Sequence, residues 1–207
     1  ALALKVFNAV GVPVPNATIN ITNTTINPHI NLTRTSDANG IWNEVGLPGS
    51  ANSYHVVVSK DDFSTDATYP ITAGNPNPVK PDATILAGQV TGISFAIDHW
   101  SALTFNTLNQ TCGGVPNLGV EVHGAKLIGT PSILKFDRDY ISNSSGQIAL
   151  GNVEWDNYTP ALTTSDTYMI YGSSPIQQIS VLPNTSQTSA IIAGPKTSIS
   201  LLIIVKD

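Results

Sequence analysis

Apolar and polar residues alternate along most of this chain, in short stretches. In the opening stretch, Leu2, Leu4 and Val6 share one face. The same period of two recurs at Ala17, Ile19 and Ile21, at Tyr54, Val56 and Val58, and at Ile93, Phe95 and Ile97. This alternation is typical of a strand with one buried face, and no window of eleven residues has a helical period. The sequence therefore predicts an all-β protein.

Turn-forming residues separate the predicted strands. Residues 37–40 read Asp-Ala-Asn-Gly, a tight turn in which Gly40 can take a positive φ. Trp42 and Leu47 follow as inward-facing residues, and the stretch from Thr72 to Pro81 is rich in Pro and Asn. Many short strands with regular turns favour a β-sandwich, with an extended loop at 72–81.

The chain repeats itself at an offset of about 100 residues. Pro15-Asn16 matches Pro116-Asn117, Asn39-Gly40 matches Ser145-Gly146, and Tyr54 matches Tyr158. Residues 86–97 also match residues 182–193. Self-similarity at a nearly constant offset indicates repeated structural units. We interpret the chain as two copies of one domain, residues 1–98 and 99–197.

The opening-strand pattern occurs a third time, at the end of the sequence. Residues 1–7 open the first copy, 101–105 open the second, and 198–207 resemble both. The last segment is apolar on both faces, at Ile199, Leu201, Leu202, Ile203, Ile204 and Val205. An unpaired apolar strand invites pairing with other chains. We predict that 198–207 opens a further domain or links to another subunit.

Composition excludes several classes of protein. Charged residues make up 11% of the chain, the net charge is −5, and nine Lys and Arg do not form a basic patch for nucleic acid. No apolar run reaches the ~18 residues that span a bilayer. The single cysteine, Cys112, has no internal disulfide partner. The richness in Asn, Thr and Ser is typical of exported surface proteins, which predicts an extracellular location on the cell surface.

Several motifs carry a resemblance to a known family. Residues 11–19, the turn at 36–42, Leu47 and the strand at 54–60 resemble the carboxypeptidase-regulatory-like domain, a transthyretin (prealbumin)-like, Ig-type sandwich. The second copy keeps this skeleton, with Ser142 to Gly146 in place of the Asp turn. The resemblance implies two tandem β-sandwiches plus an extra C-terminal strand. It also implies a non-catalytic module of bacterial surface or pilus-associated proteins.

Related pilin sandwiches join a first-strand Lys to a last-strand Asn through an isopeptide bond, assisted by a buried carboxylate. Lys5 and Glu44 are the candidates that this resemblance suggests. The usual carboxylate position holds Val58, and the last strand at 92–97 has no Asn, although Asp98 follows it. We therefore expect no bond, with Lys5 in solvent and Glu44 at the rim of the sandwich.

Metal binding and catalysis find little support. The histidines are scattered, and we expect no Cys or carboxylate at ligand spacing to them: His29, His55, His99 and His123. Oxygen ligands for Ca²⁺ are offered by Asp37, Asn39, Asp61, Asp62 and Asp66, but ordinary turns explain these residues. No hydrolase motif occurs, and Cys112 is expected in a surface turn as an inert thiol. We expect no enzyme activity, no metal and no cofactor.

Carbohydrate recognition is the alternative ligand chemistry. Trp155, Tyr168 and Tyr171 are candidate stacking residues, whereas Tyr158 is assigned to the core by its match to Tyr54. Packing at the core or between domains is the competing interpretation of these rings. Eight Asn-x-Ser/Thr sequons are candidate glycosylation sites, at Asn16, Asn20, Asn23, Asn31, Asn109, Asn143, Asn157 and Asn184.

The sequence thus predicts a non-catalytic structural module of a cell-surface stalk, pilus or filament. Its expected partners are copies of itself or adjacent domains of the same surface protein. The alternative is an adhesin or carbohydrate-binding module that holds glycans through loops and aromatic residues of the second domain. Neither nucleic acid nor a membrane is an expected partner of this segment.

Overall fold

The computed structural model describes residues 1–163 and 167–196 as strands and connecting turns, with no α-helix in those ranges. The prediction of an all-β fold is confirmed. The described chain forms two compact units. The first unit contains Ala1–Trp100 and Leu127–Leu134; the second contains Ser101–Lys126 and the described residues from Lys135 onward. The segment 198–207, predicted as an extra strand, lies outside the described residues.

Ten strands belong to the first unit: β1 (Leu2–Phe7), β2 (Thr18–Asn23), β3 (Ile30–Thr35), β4 (Ile41–Glu44), β5 (Ser50–Ser59), β6 (Asp66–Ala67), β7 (Ala83–Ile85), β8 (Thr91–Ala96), β11 (Leu127–Gly129) and β12 (Ile133–Leu134). In the described part of the second unit there are eight: β9 (Ser101–Leu108), β10 (Gly119–Gly124), β13 (Asp137–Ile141), β14 (Gln147–Val153), β15 (Asp156–Leu162), β16 (Tyr168–Ser174), β17 (Ile179–Val181) and β18 (Ser186–Pro195).

The first unit is a sandwich of two sheets around one core. In one sheet β1 lies between β4, to which it is antiparallel, and β8, to which it is parallel. The other sheet has β2 between β3 and β5, and β6 and β7 both pair with β5. The alternation noted in the sequence places its apolar residues in the core, among them Leu4, Ile19, Tyr54, Val56 and Phe95.

The second unit repeats this strand pairing. Strand β9 lies between β14 and β18, antiparallel to the first and parallel to the second. Strand β10 lies between β13 and β15, and β17 pairs with β15. The second unit has one additional strand: β16 pairs with β18 and so extends the sheet that contains β14, β9 and β18. Its core contains Leu103, Phe105, Val120 and Tyr158.

A buried serine fixes the approach to the second strand in both units. The Ser36 hydroxyl accepts a hydrogen bond from the Ala17 N–H (2.9 Å) and donates one to the Val14 carbonyl (2.8 Å). Ser142 forms the same pair of bonds in the second unit. Each hydroxyl satisfies two backbone groups of an irregular segment that would otherwise be buried without partners.

The inward tyrosine of each unit also satisfies a carbonyl. Tyr54 donates its hydroxyl to the Pro48 carbonyl (2.6 Å), and Tyr158 donates to the Glu154 carbonyl (2.8 Å). Both rings are fully buried. Burial raises the pKa of Tyr158 above its ordinary value, because the phenolate would lose its hydration. The match between these two tyrosines in the sequence therefore corresponds to a shared role in the fold.

The predicted turn at residues 37–40 is present, and Gly40 has a φ of +71°. The Val6 N–H donates to the Gly40 carbonyl (2.7 Å), which brings the turn against the opening strand. A Cβ at Gly40 would lie 2.2 Å from the Val6 carbonyl oxygen. Gly146 takes the corresponding place in the second unit, with a φ of +74°.

A short hairpin, β11 and β12, joins the first unit although it follows β10 in sequence. The Ile128 carbonyl accepts from the Val79 N–H (3.1 Å), and the Thr130 N–H donates to the Asn77 carbonyl (2.9 Å). These bonds give backbone partners to the loop at 72–81. No feature of the sequence pattern indicated that this loop has a partner some fifty residues away, at Ile128 and Thr130.

Gly40→Ala should destabilise the first unit much more than Gly11→Ala. Both glycines have positive φ, and alanine there costs about 1–2 kcal/mol from backbone strain alone. At Gly11 nothing lies within 4 Å of the new methyl group, whereas at Gly40 the Val6 carbonyl must move. We expect Gly40→Ala to cost at least ~2 kcal/mol more than Gly11→Ala in urea unfolding, since a core hydrogen bond is disturbed. Equal losses would contradict this role of Gly40.

Candidate interaction site

In the first unit, the sheet of β4, β1 and β8 ends at β8, and no strand pairs with the outer edge of β8 among the described residues. The Ile97 N–H donates to the Phe7 carbonyl (3.0 Å), on the β1 side. Because N–H groups alternate along a strand, those of Gly92, Ser94 and Ala96 face away from β1. This edge therefore presents backbone donors outward, which is the usual template for strand addition.

A side chain caps one of these three donors. The Ala96 N–H donates to Asp66 Oδ2 (2.9 Å), and the Lys80 ammonium lies 2.5 Å from the same oxygen. Lys80 also lies 4.5 Å from the centre of the Phe95 ring, a cation–π contact. In the described part of the chain, no partner occurs for the N–H groups of Gly92 and Ser94, and both residues are exposed. Two adjacent outward donors therefore remain open to another chain segment.

A groove of about 380 Å³ runs along this open edge. Its walls are β8 on one side and the end of the 72–81 loop with β7 on the other; they include Asn52, Val79, Pro81, Ala83 and Ile93. Val79 is 60% exposed, although its side chain is apolar. A strand added along β8 would place alternate side chains over this groove.

The second unit has the same edge in a covered form. Residues 86–97 match 182–193, so Ser94 corresponds to Ala190. Strand β16 pairs there with β18, antiparallel, from Ser174 opposite Ala190 to Tyr168 opposite Pro195. The fold thus accommodates one more strand at this position, and in the first unit the equivalent place is open.

The residues suggested for an isopeptide bond have other environments. Lys5 is exposed, and its partner across β4 is Ile41, whereas Glu44 faces Leu2. Glu44 accepts hydrogen bonds from Arg34 Nε (2.7 Å) and Trp42 Nε1 (3.0 Å).

Several opposing effects set the ionisation of Glu44. Burial alone would raise its pKa. The hydrogen bonds from Arg34 and Trp42, with the charge of Arg34, outweigh burial and lower the pKa of Glu44 below its ordinary value. Glu44 is therefore held ionised by Arg34, and a proton-relaying role toward Lys5 has no support in this geometry.

A threonine, a histidine and an aspartate meet in the first unit without the order that hydrolysis requires. Thr68 donates to Asp82 Oδ1 (2.7 Å), and His55 Nδ1 lies 2.9 Å from the same oxygen. In a nucleophilic triad the imidazole stands between hydroxyl and carboxylate. Here both groups converge on one oxygen of the buried Asp82, so the arrangement satisfies that carboxylate and does not activate the hydroxyl.

The candidate glycan-stacking rings have contacts within the protein. Lys126 Nζ lies 3.4 Å from the centre of the Trp155 ring. Tyr168 packs against the core of the second unit, and the Tyr171 hydroxyl donates to the Pro195 carbonyl (2.7 Å) while its ring lies against Gly194. These contacts favour the packing interpretation of the three rings over a sugar platform.

The sequons differ in accessibility. Asn23 is 1% exposed and donates its side-chain N–H to Ser53 Oγ (3.0 Å), so the folded protein withholds it from glycosylation. Asn20 is half-buried. The other six are exposed: Asn16, Asn31, Asn109, Asn143, Asn157 and Asn184. Cys112 is exposed in the turn between β9 and β10, as expected.

The calcium candidates include an ordinary turn. Asp37 Oδ1 accepts the N–H groups of Asn39 (2.9 Å) and Ile41 (2.8 Å), which is Asx-turn geometry. A different group was missed. Glu121 lies two positions before His123, and Asp137 lies directly opposite His123 on β13. The Glu-x-His spacing on an alternating strand could have indicated this group, and the expectation of no carboxylate at ligand spacing is wrong for His123.

Comparison with protein-family models gives no match, and comparison with curated proteins gives none either. Among solved structures, a minor pilin of Streptococcus agalactiae is similar at 11% identity and a TM-score of 0.41, over 97% of this chain and 98% of that one. A shaft pilin of Lactobacillus rhamnosus GG is similar at 12% identity and a TM-score of 0.35, over 96% and 98%.

The Bacillus anthracis TIE protein is similar at 11% identity and a TM-score of 0.35, over 93% of this chain. This chain spans only 33% of that protein. With TM-scores below 0.5, these likenesses carry no argument about function. As to membranes, the described residues contain no helix of the length and apolarity needed to cross a bilayer.

Arg34→Gln should lower stability at neutral pH and matter less in acid. The pKa of Glu44 is lower in the folded state than its ordinary 4.5, so the ion pair contributes above that pH and is lost as pH falls through the folded value. Because Arg34 is part-exposed, we expect a loss of about 1 kcal/mol at neutral pH. Urea unfolding at several pH values measures the difference between the two proteins.

Arg138→Gln serves as the control, since Arg138 forms no ion pair within the described residues. Its effect on unfolding should not vary with pH in this way. A loss at Arg34 that stays constant down to pH values well below 4.5 would show that Glu44 does not depend on Arg34 for its charge.

Proposed function

We propose that this chain is a non-catalytic structural module of an extracellular cell-surface stalk, pilus or filament. Its units join others through β-strand pairing. The observation that carries this proposal is the open edge of β8, with the outward N–H groups of Gly92 and Ser94 beside a groove of mixed polar and apolar lining. Repetition of one sandwich along the chain agrees with a load-bearing or spacing role, in which domains act as successive links.

The segment 198–207 is the strand that we propose for this edge, donated by a second copy of the chain. Its backbone would supply carbonyl acceptors to Gly92 and Ser94, as strand addition requires. One face carries Ile199, Leu201, Ile203 and Val205. At roughly 1.5–3 kcal/mol for each fully buried side chain, the gross apolar gain is on the order of 6–12 kcal/mol before ordering costs.

The domain organisation proposed from the sequence fits this role. We interpret residues 1–98 and 99–197 as one sandwich each, and 198–207 repeats the sequence pattern of an opening strand. A strand with the opening pattern can pair with an adjacent domain of the same surface protein or with a neighbouring subunit. The open β8 edge favours the neighbouring subunit, since it gives that strand a defined place in this same chain.

A peptide of residues 198–207 should bind the chain truncated after residue 197, along β8. In ¹H–¹⁵N NMR spectra, we expect the amides of Gly92 and Ser94 to shift or broaden most, because they receive the new acceptors. The matched control is the same peptide with Leu201→Asp and Ile203→Asp, which keeps the backbone and puts charge over the groove. Binding that spares residues 91–96, or no binding, would contradict the proposal.

A further inference from the structure

Three metal-ligating side chains converge on the outer face of the second unit. Glu121 and His123 lie on β10, two residues apart, so both point away from the core that Val120 and Val122 enter. Asp137 lies directly opposite His123 on β13. One ligand atom of each of the three residues lies within 4.8 Å of the others.

The spacing of these atoms suits a single small cation. Ligands about 2.0–2.2 Å from a zinc ion are separated by roughly 3.4 Å in tetrahedral geometry. Because the ligand atoms already lie within 4.8 Å of one another, rotation of these exposed or half-buried side chains can bring them to this spacing without movement of the strands. The positions of the ligands are set by the pairing of β10 with β13, which is regular from Gly119 to His123.

The negative charge of this face also favours a bound cation. Asp139 lies directly opposite Glu121, and like charges opposed on neighbouring strands are destabilising. Among the described residues, no hydrogen bond or ion pair engages the side chains of Glu121, His123 or Asp137. Arg138, next to Asp137, has its guanidinium 5.1 Å from the centre of the Phe136 ring.

We propose that Glu121, His123 and Asp137 bind one divalent transition-metal ion of the Zn²⁺ type. One imidazole nitrogen with two carboxylates is a donor set that suits such ions, whereas Ca²⁺ and Mg²⁺ prefer oxygen ligands alone. Asp139 lies beside the site and adds negative charge near the ion. The ion would link β13, an edge strand of its sheet, to β10 in the middle, so that it reinforces the sandwich.

Isothermal titration of the full chain with Zn²⁺ tests this site. We expect one equivalent to bind, and Ca²⁺ and Mg²⁺ to compete weakly. His123→Ala, Glu121→Gln and Asp137→Asn should each weaken Zn²⁺ binding by at least about tenfold, the loss seen even for outer-shell changes. His29→Ala is the matched control, because His29 is an exposed histidine outside this group, and it should bind Zn²⁺ like the unaltered chain.

Thermal unfolding gives a second readout, since an ion that binds the folded state alone raises the melting temperature. The second unit should melt at higher temperature with Zn²⁺, and this shift should vanish in His123→Ala. The proposal is overturned if the chain binds no Zn²⁺ at millimolar concentration, or if the three variants bind it as tightly as His29→Ala. Equal affinity for Ca²⁺ would overturn the assignment of metal class.

Discussion

Each unit depends on an opening strand that pairs on both sides. Strand β1 lies between β4 and β8, and β9 lies between β14 and β18. The parallel pair joins the first and last strands of a unit, so its sheet cannot form until the whole sequence of that unit is present. We expect any segment with the opening-strand pattern to need a neighbouring strand on each side. The need of the opening strand for two neighbours is the physical reason for the proposed assembly.

Buried polar side chains also have hydrogen-bond partners within the protein. Ser36 and Ser142 each satisfy a donor and an acceptor, and Asp82 is paired with both Thr68 and His55. The side-chain amide oxygen Oδ1 of Asn75 is a buried exception among the described residues. The outward N–H groups of Gly92 and Ser94 differ from these buried groups, because they are backbone donors at a solvated edge that is suited to a partner.

Local patterns in the sequence predicted the strands well, because alternation and turn chemistry depend on neighbouring residues. Gly40 shows this, since the Asp37 turn that requires its positive φ lies within four residues. Pairing between distant segments could not be predicted in this way. The hairpin that contacts the 72–81 loop, the extra strand β16 and the position of Asp137 opposite His123 all follow from register, which short-range periodicity does not encode.

Hydrogen–deuterium exchange along β8, measured over a range of protein concentrations, tests strand addition most directly. We expect the amides of Gly92 and Ser94 to exchange rapidly in dilute solution and to become protected as the chain is concentrated, because the segment 198–207 of another copy would then cover them. Exchange at these two amides that stays equally fast at every concentration would contradict assembly through this edge.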